Sequence, residues 1–196
     1  MNSLRPLMKR RVNDLTIYNE LRPQMRVGDA ISWRGNGLIS RLISLWSHRT
    51  HVSAVFKPFD FEGDPNRITI LEAWENEFNL RALSKRLQDY NGEAYYHQLR
   101  PELDEYREDI AKYLFAIIGT PYDYHGLIWN MFGLVKACED KLFCSEAVGY
   151  SLMQIPIKAL KQYLPHNDLL SLISGKALRP GGIARLPLYL PEKQLI

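Results

Sequence analysis

The chain has 196 residues, of which 46% are hydrophobic, 11% aromatic and 24% charged, a profile that excludes a disordered, collagenous or coiled-coil protein. One domain is the expectation at that length, residues 1–196, and folding buries roughly 70% of the unfolded surface, so neither disulfides nor a structural metal is required. A net charge of +3, with Lys9-Arg10-Arg11 as the one dense basic run, argues against nucleic acid as the partner.

In chain order, residues from about Arg5 to Gln24 mix polar and apolar types and suit a helix followed by a turn. Gly28-Asp29 turns the chain into a short strand, Ala30 to Trp33, and Arg34-Gly35-Asn36-Gly37 reads as a loop. Leu38, Ile39, Leu42, Ile43 and Trp46 have helical spacing. The middle of the chain favours strands: His51 to Phe56, then a hairpin-like connection through Pro58 to Pro65, then Arg67 to Trp74. A short helix over Ala82 to Tyr90, the turn Asn91-Gly92 and a strand from Ala94 to Leu99 follow. Between Asp104 and Ile118, the apolar residues Tyr106, Ile110, Tyr113, Leu114 and Ile117 share one helix face behind an acidic first turn. Gly119-Thr120-Pro121 ends that helix. Further helices are expected within Tyr124 to Val135, over Leu142 to Met153 and near Asp168 to Ser174, in a proline-rich C-terminal part expected to be otherwise irregular. Helices around a small antiparallel sheet make the fold class α+β.

Targeting signals are not apparent. The basic start runs into Asp14, Glu20 and Arg22 where a signal peptide needs an apolar core. The longest uncharged run, Tyr124 to Val135, is short of the roughly 18–20 residues of a membrane span. A cytoplasmic location is the default expectation, with non-Sec export or phage-type delivery as the alternative. Two cysteines, Cys138 and Cys144, without a neighbouring His do not make a zinc site.

The most informative segment is Leu142-Phe143-Cys144-Ser145-Glu146. A thiol at a helix start meets unpaired backbone N–H groups and the positive end of the dipole, both of which favour thiolate. The Cys144 N–H could also hold an oxyanion. The competing reading is a buried structural cysteine. A catalytic thiol needs a base, and five histidines are available. His51 opens an apolar strand, which would hold it rigidly; His48 lies three residues earlier in a polar tract. A metal held by His48 and His51 lacks a third ligand at suitable spacing. Glu72, within Ile70-Leu71-Glu72-Ala73-Trp74, is costly to bury unless paired. On a strand beside that of His51 it could fix the imidazole tautomer; its face is shared with Ile68 and Ile70.

Taken together, Gly28-Asp29-Ala30-Ile31, Leu38 to Trp46, Ser47 to Val55, Leu71-Glu72-Ala73, Gly119-Thr120-Pro121-Tyr122-Asp123 and Phe143-Cys144-Ser145-Glu146 resemble the permuted branch of the NlpC/P60 papain-like superfamily, and within it the YiiX/YebB-like family. The match covers about residues 27–153, with extensions on both sides. The resemblance implies a circularly permuted papain-like core in which the His strand precedes the Cys helix. It implies Cys144 as nucleophile, His51 as base and Glu72 as the orienting residue. Tyr122 falls at a turn that lies near substrate in the wider superfamily, and equally suits a packed turn aromatic. The departures are the bulky approach Ser47-His48-Arg49-Thr50 and the two extensions.

The function implied is a cysteine hydrolase that cleaves an amide bond, in a peptide or cell-wall-derived substrate, without metal or organic cofactor. Lipid acyl transfer or acyl hydrolysis, as in proteins resembling lecithin:retinol acyltransferase, is the alternative, although the Asn-Cys-Glu-His run of that family is absent. A non-catalytic binding module on the same fold is a third reading.

Overall fold

The computed structural model describes residues 12–36, 48–57, 67–74, 77–121, 144–173 and 179–196. Its centre is a six-stranded antiparallel sheet of order β4-β3-β2-β1-β5-β6. The strands are β1 (Ala30–Gly35), β2 (His51–Val55), β3 (Thr69–Trp74), β4 (Glu77–Ala82), β5 (Gly92–His97) and β6 (Lys193–Gln194). The helices are α1 (Thr16–Leu21), α2 (Leu83–Gln88), α3 (Arg107–Ala116), α4 (Cys144–Leu152), α5 (Ile157–Leu160), α6 (His166–Ile173) and α7 (Pro180–Ala184).

The central strands are buried on both faces, which is why β1 to β3 read as nearly continuous apolar runs. Alternation then sends successive side chains to two cores. Ile31, Trp33, Val55 and Ile70 join Tyr18 of α1 and Leu83 and Leu87 of α2 on one face. Val52, Ala54 and Leu71 join α3, α4, α6 and α7 on the other. Eight of the nine residues of α4 are buried, and its small members Ala147, Gly149 and Ser151 suit a helix enclosed on all sides.

The four expected strands are present, with β4 and β6 in addition. Residues 101–106 form a 3-10 helix that begins at Pro101, and the α-helix proper starts at Arg107 with Glu108 and Asp109 in its first turn. The C-terminal part is more regular than expected. It contains α5 to α7, and its last residues return along β5 through a Leu99–Tyr189 bridge and β6. Pro187 and Pro191 are compatible with this because the strand lies at the sheet edge. The expected helices at Leu38 to Trp46 and Tyr124 to Val135 and the connection Pro58 to Pro65 fall outside the described residues. No helix among the described residues is long and apolar enough to cross a membrane.

Candidate active site

β2 begins at His51, paired with Trp33 of β1, and β3 carries Glu72 on the other side of β2. The His51 Nε2 lies 3.3 Å from Glu72 Oε2, a charge-assisted contact slightly longer than a well-formed hydrogen bond. On the other side of the sheet, α4 packs against β2 and starts at Cys144, of which 3% is exposed. The His51 ring is close enough to the Cys144 sulfur, as well as to Glu72, for both to act on its charge. The structure therefore brings Cys144, His51 and Glu72 together across α4, β2 and β3, elements far apart in the chain.

The electrostatics follow from those contacts. Burial alone would lower the His51 pKa; the Cys144 sulfur and then the Glu72 carboxylate outweigh it and raise the pKa to about 9. Burial alone would raise the Glu72 pKa; His51, Arg86 and Arg81 together hold it below the ordinary carboxylate value. Arg81 Nη1 of β4 is 2.9 Å from Glu72 Oε1, and Arg86 Nε of α2 is 3.1 Å from the same oxygen. The Trp33 indole N–H donates to Ser53 Oγ at 2.9 Å, and Ser53 O–H donates to Glu72 Oε2 at 3.4 Å. Arg86 itself lies over both Trp33 and Tyr90, whose rings meet edge to face. Glu72 is thus an ionised carboxylate fixed from four directions.

Sequence reasoning missed Arg81, Arg86 and Ser53. The available signal was the buried Glu72 itself, which demands cations, but nothing local says which of many arginines supplies them. His48 is exposed, and its carbonyl accepts from Arg49 Nη1 at 3.3 Å; the imidazole beside Cys144 is that of His51. His97 is buried against Ser32 Oγ at 2.7 Å, and His166 opens α6 at the surface. Tyr122, Cys138 and His125 lie outside the described residues. The Gly28-Asp29 turn has a structural role. Gly28 has a φ of 88°, a left-handed backbone that glycine adopts without strain. Asp29 is buried and accepts from Arg107 Nη1 at 2.8 Å, Tyr96 O–H at 2.7 Å and the Leu99 N–H at 3.0 Å.

These features define a mixed α+β protein with a thiol, an imidazole and a carboxylate in contact at one end of an antiparallel sheet. No protein-family profile and no curated protein sequence matches the chain. Among solved structures, that of the metalloprotein YiiX from Escherichia coli O157:H7 is similar, with a TM-score of 0.60 and 19% identity over 85% of this chain and 96% of that one. The chain therefore shares the YiiX fold.

A metal centre needs a cluster of three or more donor side chains. Among the described residues no group of three or more His, Cys, Asp or Glu side chains is placed to hold one. Glu72, which faces His51, already pairs with two guanidinium groups. The described residues do not fit a metal centre.

Proposed function

We propose that the protein is a cysteine hydrolase that cleaves an amide bond, in a peptide or a related acyl compound, on a circularly permuted papain-like core of the NlpC/P60 kind. The observation that carries this reading is the His51 ring held between the Cys144 sulfur and the Glu72 carboxylate. The order of the chain agrees with a permuted core, since the His strand precedes the Cys helix.

The chemistry follows from these groups. Proton transfer from Cys144 to His51 gives a thiolate–imidazolium pair, which the start of α4 and the Glu72 charge both favour. The thiolate attacks the carbonyl carbon and a C–S bond forms. The Cys144 N–H is placed by its position in the helix to serve the developing oxyanion. When the tetrahedral adduct collapses, the C–N bond breaks and the imidazolium proton goes to the departing amine. Neutral His51 then takes a proton from water as it attacks the thioester; the C–S bond breaks, releasing the acid and restoring the pair.

The test is the alkylation rate of Cys144 between pH 4 and 9, with peptide mapping to separate it from Cys138. An ordinary thiol gains reactivity near pH 8.5, and an ion-paired one well below that. The expected outcome is fast labelling at pH 5 in wild type and in His48→Ala, lost in His51→Ala. Slow labelling at pH 5 that ignores His51 would rule the hydrolase out.

A further inference from the structure

A pocket of about 580 Å³ runs beside β5 and the C-terminal segment, from Arg34 and Arg49 near the start of β2 to Arg100 beyond the far end of β5. Among the described residues, Arg34, Arg49, Arg100, Arg185 and His48 border it, with Glu192 as the carboxylate. Four guanidinium groups border one concavity; Glu192 pairs with Arg49 and Glu93 with Arg34, which leaves a surplus of two positive charges. Apolar walls come from Leu186, Pro187, Tyr189, Leu190 and Pro191.

Two of the guanidinium groups are fixed by the fold. Arg49 donates from Nε to Ser32 Oγ at 3.1 Å, pairs through Nη2 with Glu192 Oε1 at 2.7 Å and lies 3.8 Å above the Tyr95 ring. Arg100 donates from Nε to the Pro187 carbonyl at 2.6 Å and sits over Tyr163. Groups held this way lose little further freedom when they bind. Arg34 is 3.5 Å from Glu93 and exposed, and Arg185 is exposed just after α7. The pocket shares elements with the candidate active site: Gly181 and Ala184 of α7 line it. Arg49 is two residues before His51, Arg34 follows the strand partner of His51, and α7 packs against both β2 and α4.

We propose that this pocket binds a phosphate-bearing molecule and thereby anchors the substrate whose carbonyl Cys144 attacks. The anchoring role rests on the hydrolase reading; the phosphate site does not. Guanidinium forks match phosphate oxygens in pairs, and this surplus of cations suits a dianion better than a single carboxylate. The volume exceeds that of a bare ion and admits a small organic phosphate. Glu192 competes with the phosphate for Arg49, so it tunes affinity downwards.

Calorimetric titration with inorganic phosphate and with glycerol 3-phosphate, at constant ionic strength, tests the site. Acetate and chloride serve as controls. Saturable phosphate binding is expected, weakened about tenfold in Arg185→Gln and in Arg49→Gln, as for loss of one charge-assisted hydrogen bond. Glu192→Gln is expected to tighten it, and Cys144→Ala to leave it unchanged. Arg185 and Glu192 are exposed enough for their variants to fold even where Arg49→Gln does not. Sedimentation with phosphatidylcholine vesicles, with and without phosphatidate, identifies a lipid source if Arg185→Gln abolishes pelleting; binding of the soluble ester alone identifies a soluble one. Phosphate heats no larger than those of chloride, acetate bound as tightly as phosphate, or equal affinity in Arg185→Gln, Glu192→Gln and wild type overturn the proposal. Phosphate binding in a protein whose Cys144 stays inert keeps the site and removes the hydrolase; a reactive Cys144 without phosphate binding does the reverse.

Discussion

A carboxylate with 1% of its surface exposed stays ionised only where cations reach it, and Arg81 and Arg86 do so for Glu72. They leave it able to act on His51 as a fixed negative charge. Glu72→Gln keeps the shape and removes that charge. It should lower the His51 pKa from about 9, shift the alkaline limb of the pH profile downwards and reduce turnover by roughly 10²–10⁴, as loss of a triad carboxylate does. An alkaline limb still near pH 9 in this variant, with an unchanged rate, would show that Glu72 does not orient the imidazole. The sign follows from protonation. A raised His pKa means that the charged pair stabilises the fold fully below pH 6.5 and is lost as pH rises through about 9. For the proposed hydrolase, activity is therefore expected to fall on the alkaline side.

At the scale of elements, α4 does two jobs. Its start presents Cys144 to His51, and its body is the apolar rod around which α3, α6 and α7 gather. Gly149 lies inside this helix, where glycine costs stability relative to alanine. A Cβ there would meet Leu172 Cδ1 at 3.5 Å and Ile183 Cδ1 at 3.7 Å, ordinary van der Waals distances. Gly149→Ala is therefore expected to stabilise the protein by about 0.5–1 kcal/mol, read as a rise in Tm. A fall in Tm would mean that α6 and α7 pack too tightly to accept a methyl group. The strands matter through register: β1, β2 and β3 run side by side, so Trp33, Ser53 and Glu72 hydrogen-bond in sequence across them.

For the whole molecule, the C-terminal segment closes the structure over the sheet. Glu192 reaches Arg49, and β6 covers the edge of β5. Beneath lies His97, buried with Ser32, its pKa lowered to about 4 by burial and by Arg49 against the pull of Glu192. A depressed His pKa means that stability is complete above pH 6.5 and lost as pH falls through about 4. The fold should therefore lose on the order of 3 kcal/mol across that window from this one group. Denaturant titrations at pH 7 and pH 4 check it. His97→Gln, which keeps a hydrogen-bonding side chain beside Ser32, should flatten the slope; an equally steep fall in the variant would assign acid sensitivity to other groups.

Features that depend on neighbours along the chain are legible in the sequence. Strands β1, β2, β3 and β5 and helix α3 follow from apolar spacing and turn residues, and Cys144, His51 and Glu72 stand out because each combines reactive chemistry with an apolar setting. Two strands escaped for local reasons. β4, with Glu77, Asn79 and Arg81 among its residues, lacks a continuous apolar run because it is an edge strand, and β6 is only two residues long. The tertiary structure alone decided which partners meet. Nothing local assigns Arg81 and Arg86 to Glu72 or gathers Arg34, Arg49, Arg100 and Arg185 around one pocket. Ion pairs and hydrogen bonds act over a few ångströms of space, and folding brings together in space residues that the chain keeps tens of positions apart.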